Sequence, residues 1–445
     1  MTTIIMTGVL RRVAIQFNLL IDIPNKSRKF HSRPTPLTGG VGIISGIFIG
    51  CLSFLLIGNY IFFSSQNELA YQTSIQITEK NDPEVFEINL NLNSTDNTIE
   101  DVLINGQKIP LSNFDLKDQG NGIFEVRFGE NELQRFAIKD QKIISLDTGE
   151  IFNYQDKSKL DLLTIDIFLQ GLTLACLALL AMTIFDDFFQ YGLNPLLRMF
   201  IQVLISLALI FFSDTSLNEL GFSILNWEVN LGILSVPFTV FAVIGITNAF
   251  NMIDGINGLC SSLVMSCMAM LLFISFPLSF GYIFIIVISS LIGFLMYNLG
   301  LFGRQRRVFL GDNGSVFLGF LSAWFCIYFS SPSIGIMEPV TALWLVSIPL
   351  IDCVSIIIYR LSIGRRPFQA DRNHLHHLIY DKLNMIPVKS HRESLTLITI
   401  FCLSIIFGVI GITLEKYSVS MNTSLILIIT LGLIYHTSIR KLLRN

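Results

Sequence analysis

The stretch that decides the fold is Ile167–Phe189, IFLQGLTLACLALLAMTIFDDFF. Nineteen uncharged residues, Ile167 to Phe185, run before the first charge. A helix of about 20 apolar residues crosses a bilayer's hydrocarbon. The run then stops at two adjacent carboxylates, Asp186 and Asp187. Neighbouring carboxylates repel, so one tends to keep a proton or to share a cation. That suits a general base or a metal site. The plain alternative is a solvated helix end, yet acids are disfavoured at the negative end of a helix dipole. One segment therefore announces a membrane span and a candidate site at its edge.

The rest of the chain repeats the pattern. Of 445 residues, 52% are hydrophobic and 14% charged, against about 25% charged in soluble domains. Ten segments are long and apolar enough to span: roughly 41–63, 162–185, 194–213, 231–250, 258–277, 279–299, 313–331, 339–358, 396–414 and 421–438. The expected fold is an all-α polytopic membrane protein of about ten transmembrane helices. One polar island interrupts it and divides the chain into 1–63, 64–160 and 161–445. The island holds 9 Lys/Arg and 17 Asp/Glu. EVFEINLNL and GIFEVRF within it alternate with the period of strands, and LINGQKI carries Asn105-Gly106, a hairpin signal. A small β-rich inserted domain is expected there. The opening MTTIIMTGV is too short to span and runs into Arg11-Arg12.

Orientation follows from the basic residues. With residues before Val41 on one side, that side's loops and helix ends hold 20 Lys/Arg, and the opposite side holds Lys416 alone. The basic side is expected to be cytoplasmic and the acidic insertion extracytoplasmic. All seven cysteines lie in or beside spans. They read as small apolar packers and leave the insertion without disulfides. No nucleic-acid partner is expected.

The polar residues of interest gather on the basic side. In DIPNKSRKFHSRPTPLTGG, His31 stands among Lys26, Arg28, Lys29 and Arg33. That loop could hold an anionic headgroup or express topology alone. In NAFNMIDGINGL, Asn248, Asn251 and Asp254 repeat at i, i+3, i+6 along one helical face. They could read a nucleotide, or close a polar helix end with glycine caps. In VFLGDNGS, Asp312 between Gly311 and Gly314 could ligate Mg²⁺ or serve as an N-cap. In RPFQADRNHLHHLIY, a helical reading puts Asp371, His374 and His377 on one side, with His376 elsewhere. Zinc would need three or four N/S ligands, and no cysteine lies in a basic-side loop. Arg365, Arg366 and Arg372 instead favour an anion pocket. Asp352 lies inside a span, where ionisable residues are costly and usually functional. It is expected in or just behind the site.

Taken together and in order, DIPNKSRKFHSRPTPLTGG, FDD, NAFNMIDGINGL, YNLG…VFLGDNGS, PLID and RPFQADRNHLHHL resemble the polyprenyl-phosphate N-acetylhexosamine-1-phosphate transferases. The resemblance covers both ends of the chain and omits the insertion. It implies transfer of a HexNAc-1-phosphate, GlcNAc-1-phosphate first, from a UDP-sugar to undecaprenyl phosphate. UMP is released, Mg²⁺ or Mn²⁺ is required, and a bacterial cytoplasmic membrane is the setting. Such a step begins O-antigen, common antigen, teichoic acid or another surface glycan. ADRNHLHHL is similar to the UDP-HexNAc branch; the runner-up is the UDP-MurNAc-pentapeptide branch.

The resemblance also implies roles. Asp312 is the metal-binding acid, with Asp187 as a second metal ligand. Asp186 and Asp187 deprotonate or orient the lipid phosphate. Asn248, Asn251 and Asp254 serve the nucleotide and diphosphate. Asp371, Arg372, His374, His376 and His377 close over the UDP-sugar. Lys29, His31 and Arg33 meet the lipid phosphate. The family usually has one more N-terminal span, of which Met1 to Val9 would be a remnant. The rival from another class is a transporter or scaffold whose insertion docks a partner. A homodimer is left open.

Overall fold

The computed structural model describes residues 1–22, 34–65, 88–92, 99–104, 107–109, 117–118, 123–128, 132–139, 142–145, 151–153, 157–188, 193–224, 227–275, 281–331, 335–367 and 372–444, with side chains left undescribed at 54–166, 187–188, 195, 224, 227–228, 440 and 442–444. Two compact units are distinguished: Met1–Ser53 with Phe168–Asn445, and Phe54–Ile167.

The first unit is helical. It comprises α1 (Thr2–Phe17), the start of α2 (Gly39–Ser65), most of α3 (Lys157–Phe188), α4 (Pro195–Ser213), α5 (Ser235–Ile253), α6 (Leu259–Ser275), α7 (Gly281–Asn298), α8 (Gly311–Ser330), α9 (Pro339–Leu345), α10 (Ser347–Ser362), α11 (Leu375–Lys382), α12 (Lys389–Lys416) and α13 (Met421–Arg444). Among the described residues seven helices are long and apolar enough to cross a membrane, or eight if α9 and α10 form one span. The segments expected near 41–63 and 258–277 give shorter apolar stretches, Gly39–Ser53 and Leu259–Ser275, among those residues. The segment expected at 339–358 bends by 83° between α9 and α10. Pro349 explains the break: in an unbroken helix its ring would strike the Leu345 carbonyl, whereas the first turn of a new helix accepts it.

Arg11-Arg12 do not end the N-terminal helix, which runs on to Phe17. Asn18 closes it in the left-handed region at φ 53°, and its N–H bonds the Ala14 carbonyl. The helix buries Thr3, Thr7 and Ala14. Thr3 and Thr7 lie against Gly46 and Gly42 of α2, the small-residue contact that lets membrane helices approach.

The hub of the bundle is α8, whose residues from Asn313 to Ser330 are all buried. Lipid tails are as apolar as leucine, so close packing rather than hydrophobic sorting holds such a helix. Gly319 touches Thr247 and Phe250 of α5. Phe168 of α3 stacks on Tyr328 with ring centres 3.8 Å apart, and Phe284 of α7 meets Phe325 edge-on at 5.1 Å. Outward side chains are apolar as well: Phe211 and Phe241 are 76% and 72% exposed, as suits a lipid solvent.

Short connections pin the helix ends. The strands β1 (Ile21–Asp22) and β2 (Thr35–Pro36) pair antiparallel, Ile21 with Pro36 and Asp22 with Thr35. The segment after β2 is tied to the approach to α8. Phe309 N–H donates to the Pro36 carbonyl at 2.9 Å, and Gly39 and Gly40 donate to the carbonyls of Phe309 and Leu310 at 3.0 and 3.1 Å. Gly40 and Gly314 meet backbone to backbone: a Cβ on Gly40 would overlap the Gly314 backbone, and one on Gly314 would overlap the Leu310 side chain and crowd the Gly40 Cα. Of the next ten strands, numbered in chain order, β11 (Glu219–Ile224) and β12 (Trp227–Asn230) form a hairpin between α4 and α5.

Among the described residues the second unit holds two small antiparallel sheets. One has three strands, β3 (Ile88–Leu92), β4 (Ile99–Ile104) and β5 (Gln107–Ile109). The other has five, β6 (Lys117–Asp118), β7 (Ile123–Phe128), β8 (Glu132–Lys139), β9 (Lys142–Ser145) and β10 (Ile151–Asn153), in the order β10-β9-β8-β7-β6. Ile104 pairs with Gln107; the Asn105-Gly106 turn between them lies outside the described residues.

Candidate active site

A cleft of about 490 Å³ opens among the helix ends of the first unit. Its walls come from elements far apart in sequence. Asn251 stands on the last turn of α5 and Asp254 just past it; Asp312 stands in the first turn of α8. His377 and Tyr380 come from α11, and Glu393 from α12. Asp22, Asn257, Asn298 and Arg307 complete the polar lining.

The carboxylates are unequal. Burial, and then the charge of Asp312, raise the Asp254 carboxyl to about 7. Asp312 is half exposed and bonds Arg198 of α4 at 3.0 Å. The other arm of that guanidinium holds buried Asp186 at 2.9 Å, and Asp186 also accepts the Leu193 N–H. Asp187 belongs to the last turn of α3, with its side chain outside the described set. Arg198 was not foreseen, although a signal existed. It lies in the first turn of α4, where the dipole disfavours a cation, so an anionic partner was to be expected.

Asn251 and Asn248 share one helix but not one surface. Asn251 lines the cleft and its Oδ1 accepts the Ser315 hydroxyl at 2.6 Å. This turns the amide nitrogen of Asn251 away from Ser315 and leaves it to donate. Asn248 donates to the Ile244 carbonyl at 2.8 Å and to Gln202 at 3.3 Å, and it is not among the cleft's lining residues. Asp254 follows the helix end with φ −74° and ψ 58°, so the i+6 continuation of the face stops at Ile253. Asp312 is not the N-cap of α8; Leu310 holds that place.

The histidine loop is arranged differently from a single helical face. Helix α11 begins at Leu375 with His374 as an extended N-cap. His374 turns inward, its Nδ1 2.8 Å from Asp352 Oδ2. His376 is 1% exposed and lies against Gly255, where a Cβ would overlap its ring. His377 reaches the cleft. Burial, then the neighbouring imidazoles and Arg372, hold His376 well below the usual histidine range. Burial, then Arg372, bring His377 down to about 4. Both are neutral near pH 7. Arg392 lies over the Tyr380 ring at 5.2 Å and fastens α11 to α12. Arg372 pairs with Asp381 at 3.5 Å and does not line the cleft; Arg365 and Arg366 are exposed. Lys29, His31, Arg33 and Asp371 lie outside the described residues.

Among the described residues no group of three or more His, Cys, Asp or Glu is close enough to hold a metal by itself. The cleft's acids, Asp254 and Asp312 with Asp22 and Glu393, offer carboxylates and no thiolate, which fits a magnesium ion better than zinc, because Mg²⁺ takes one or two carboxylates and completes its shell with water and phosphate oxygens.

Helices and cleft together define a multi-pass membrane protein with a carboxylate- and imidazole-lined site at its helix ends. Residues 169–330 match the model of glycosyl transferase family 4. That match takes in Asp186, Asn248, Asn251, Asp254 and Asp312, while the histidine loop lies beyond it. The chain is 37% identical over 247 residues to a Yersinia pestis protein named undecaprenyl-phosphate alpha-N-acetylglucosaminyl 1-phosphate transferase, covering 54% of this chain and 65% of the relative. An Escherichia coli K12 protein of the same name is 36% identical over 215 residues, 47% of this chain and 58% of the relative. A Haemophilus influenzae protein, again so named, is 36% identical over 247 residues, 54% and 67%. The chain belongs to glycosyl transferase family 4. It spans 65% and 58% of the length of the first two relatives.

Proposed function

We propose that this chain transfers GlcNAc-1-phosphate from UDP-GlcNAc to undecaprenyl phosphate and releases UMP. The observation that carries the reading is the shared cleft: Asn251, Asp254, Asp312 and His377, drawn from three separate motifs, line one cavity of about 490 Å³. Pockets of roughly 300–1,000 Å³ take ligands of nucleotide size. The printed names of the three relatives point the same way.

In this reaction an oxygen of the lipid phosphate bonds to the β-phosphorus of the UDP-sugar. The bond from that phosphorus to the bridging oxygen breaks, and UMP leaves with the electron pair. The attacking phosphate is already ionised near neutrality, so Asp186 and Asp187 need only orient it. Asp312 would hold Mg²⁺ or Mn²⁺, with Asp187 the second ligand. A bound divalent ion supplies charge neutralisation for the diphosphate. Arg198 leaves its carboxylate partners or stays to screen phosphate oxygens. Neutral His377 and the Asn251 amide offer directed hydrogen bonds, and burial of the site strengthens them. Lys29, His31, Arg33, Asp371 and Arg372 complete the proposed phosphate contacts, with Asn248 supporting the nucleotide wall.

The basic helix ends and the cleft belong to the cytoplasmic side of a bacterial inner membrane in this reading, and the insertion at 64–160 is an extracytoplasmic β-rich domain. The test uses membranes containing the chain, undecaprenyl phosphate, Mg²⁺ and radiolabelled UDP-sugars. Lipid-linked label from UDP-GlcNAc, with UMP released in equal amount, is expected. Absence of lipid-linked label from every UDP-HexNAc would overturn the proposal.

A further inference from the structure

We propose that Asp352 and Tyr435 are positioning residues that set the histidine loop over the cleft, and that His374 is their buried anchor and does not contact substrate. The proposal rests on the transferase reading for its kinetic arm only.

Asp352 is 1% exposed and accepts three hydrogen bonds. His374 Nδ1 approaches Oδ2 at 2.8 Å. The Leu375 N–H and the Tyr435 hydroxyl donate to Oδ1 at 2.9 and 2.5 Å. The carboxylate at Nδ1 fixes the ring proton there, so Nε2 is the acceptor. Nε2 faces the Arg360 guanidinium at 3.4 Å, and the other arm of Arg360 bonds the Pro367 carbonyl at 2.5 Å. Both ring nitrogens of His374 are therefore used inside the protein. Asp352 caps α11 by accepting the Leu375 N–H, with His374 at the N-cap position, and two and three residues later His376 packs on Gly255 and His377 enters the cleft. A chain of contacts thus runs from α13 through Asp352 to the cleft wall. Tyr435, Asp352, His374 and Arg360 are hydrogen-bonded in series, which rigidifies such a network.

An amide at 352 would break the pattern. Asp352→Asn presents an N–H donor to His374 Nδ1, the proton moves to Nε2, and that N–H then meets the Arg360 donor. Tyr435→Phe removes one bond to a charged group and leaves the packing in place. The control is Ser355→Ala, which deletes the neighbouring α10–α13 bond from Ser355 to His436 (2.9 Å) and touches nothing in the loop.

The kinetic arm measures both Michaelis constants. Tyr435→Phe is expected to raise KM for UDP-GlcNAc about tenfold with KM for undecaprenyl phosphate unchanged. Asp352→Asn raises it further, the double variant is less than additive, and Ser355→Ala has no effect. Both constants rising together, an equal effect from Ser355→Ala, or no effect at all would each overturn the proposal. The second arm does not need activity. His377→Cys is labelled with N-ethylmaleimide in the solubilised chain carrying Cys402→Ser, with and without Tyr435→Phe. Labelling several-fold faster with Tyr435→Phe is expected, and an unchanged rate overturns the positioning role. Faster labelling in a chain whose wild type moves no sugar phosphate would sink the transferase reading and keep the positioning role.

Discussion

The Arg198 guanidinium bridges Asp186 and Asp312, and this decides what a cation in the cleft must compete with. Asp312 is the more exposed partner, at 51% against 4%, so it is the one free to turn towards a metal. Asp312→Ala leaves Arg198 its buried partner and removes an exposed group, so the fold persists. Transfer is expected to fall by at least about a thousandfold, the scale of losing a charge-stabilising group, with an unchanged thermal midpoint. Full activity in a well-folded variant would refute the metal role. His377 gives a pH prediction. Its native value of about 4 lies below the ordinary 6.5. Between those values the unfolded loop binds more protons than the native one, so stability rises with pH across that window and is level above it. Limited proteolysis of the α11 loop should therefore speed up as pH falls from 6.5 towards 4. In His377→Gln the profile should flatten.

At the scale of elements, the site depends on how helix ends meet. The turn after α5 carries Asp254 and Gly255, and α11 presses His376 onto that glycine. A methyl group at Gly255 must displace a buried ring, and overpacking of this kind costs about 1–3 kcal/mol. Gly255→Ala is expected to weaken UDP-GlcNAc use about tenfold, read as a rise in its KM, while Gly245→Ala, with open space at its Cβ, changes nothing. The spans near 162–185 and 313–331 were readable because long uncharged runs have few other fates in water or lipid. Pro349 marks the bend in the sequence, yet hydropathy alone makes 339–358 one run. The spacing Asp371–His374–His377 pointed to a shared helical face. The outcome differs because Asp352 draws His374 out as an N-cap, and an intramolecular carboxylate outweighs helical periodicity.

At the scale of the whole molecule, every described cleft residue belongs to Met1–Ser53 or Phe168–Asn445. Replacing residues 66–156 by a flexible Gly/Ser linker should therefore leave UDP-GlcNAc transfer within about threefold of the full chain, because lengthening or shortening a flexible connection changes closure entropy only slowly. A loss of transfer in a variant that still inserts and resists heat would assign the insertion a part in the reaction.

What the sequence by itself determined was the membrane class, the asymmetry of basic residues, and which loops carry the acids, amides and imidazoles. Composition and spacing report the solvent a segment prefers, and those features follow from solvent preference. Only the tertiary structure decided the partners: Arg198 between Asp186 and Asp312, Ser315 on Asn251, Tyr435 and Asp352 behind His374. These contacts join residues from different helices across the bundle. Their hydrogen bonds depend on side-chain directions fixed by packing, and no local pattern along the chain encodes those.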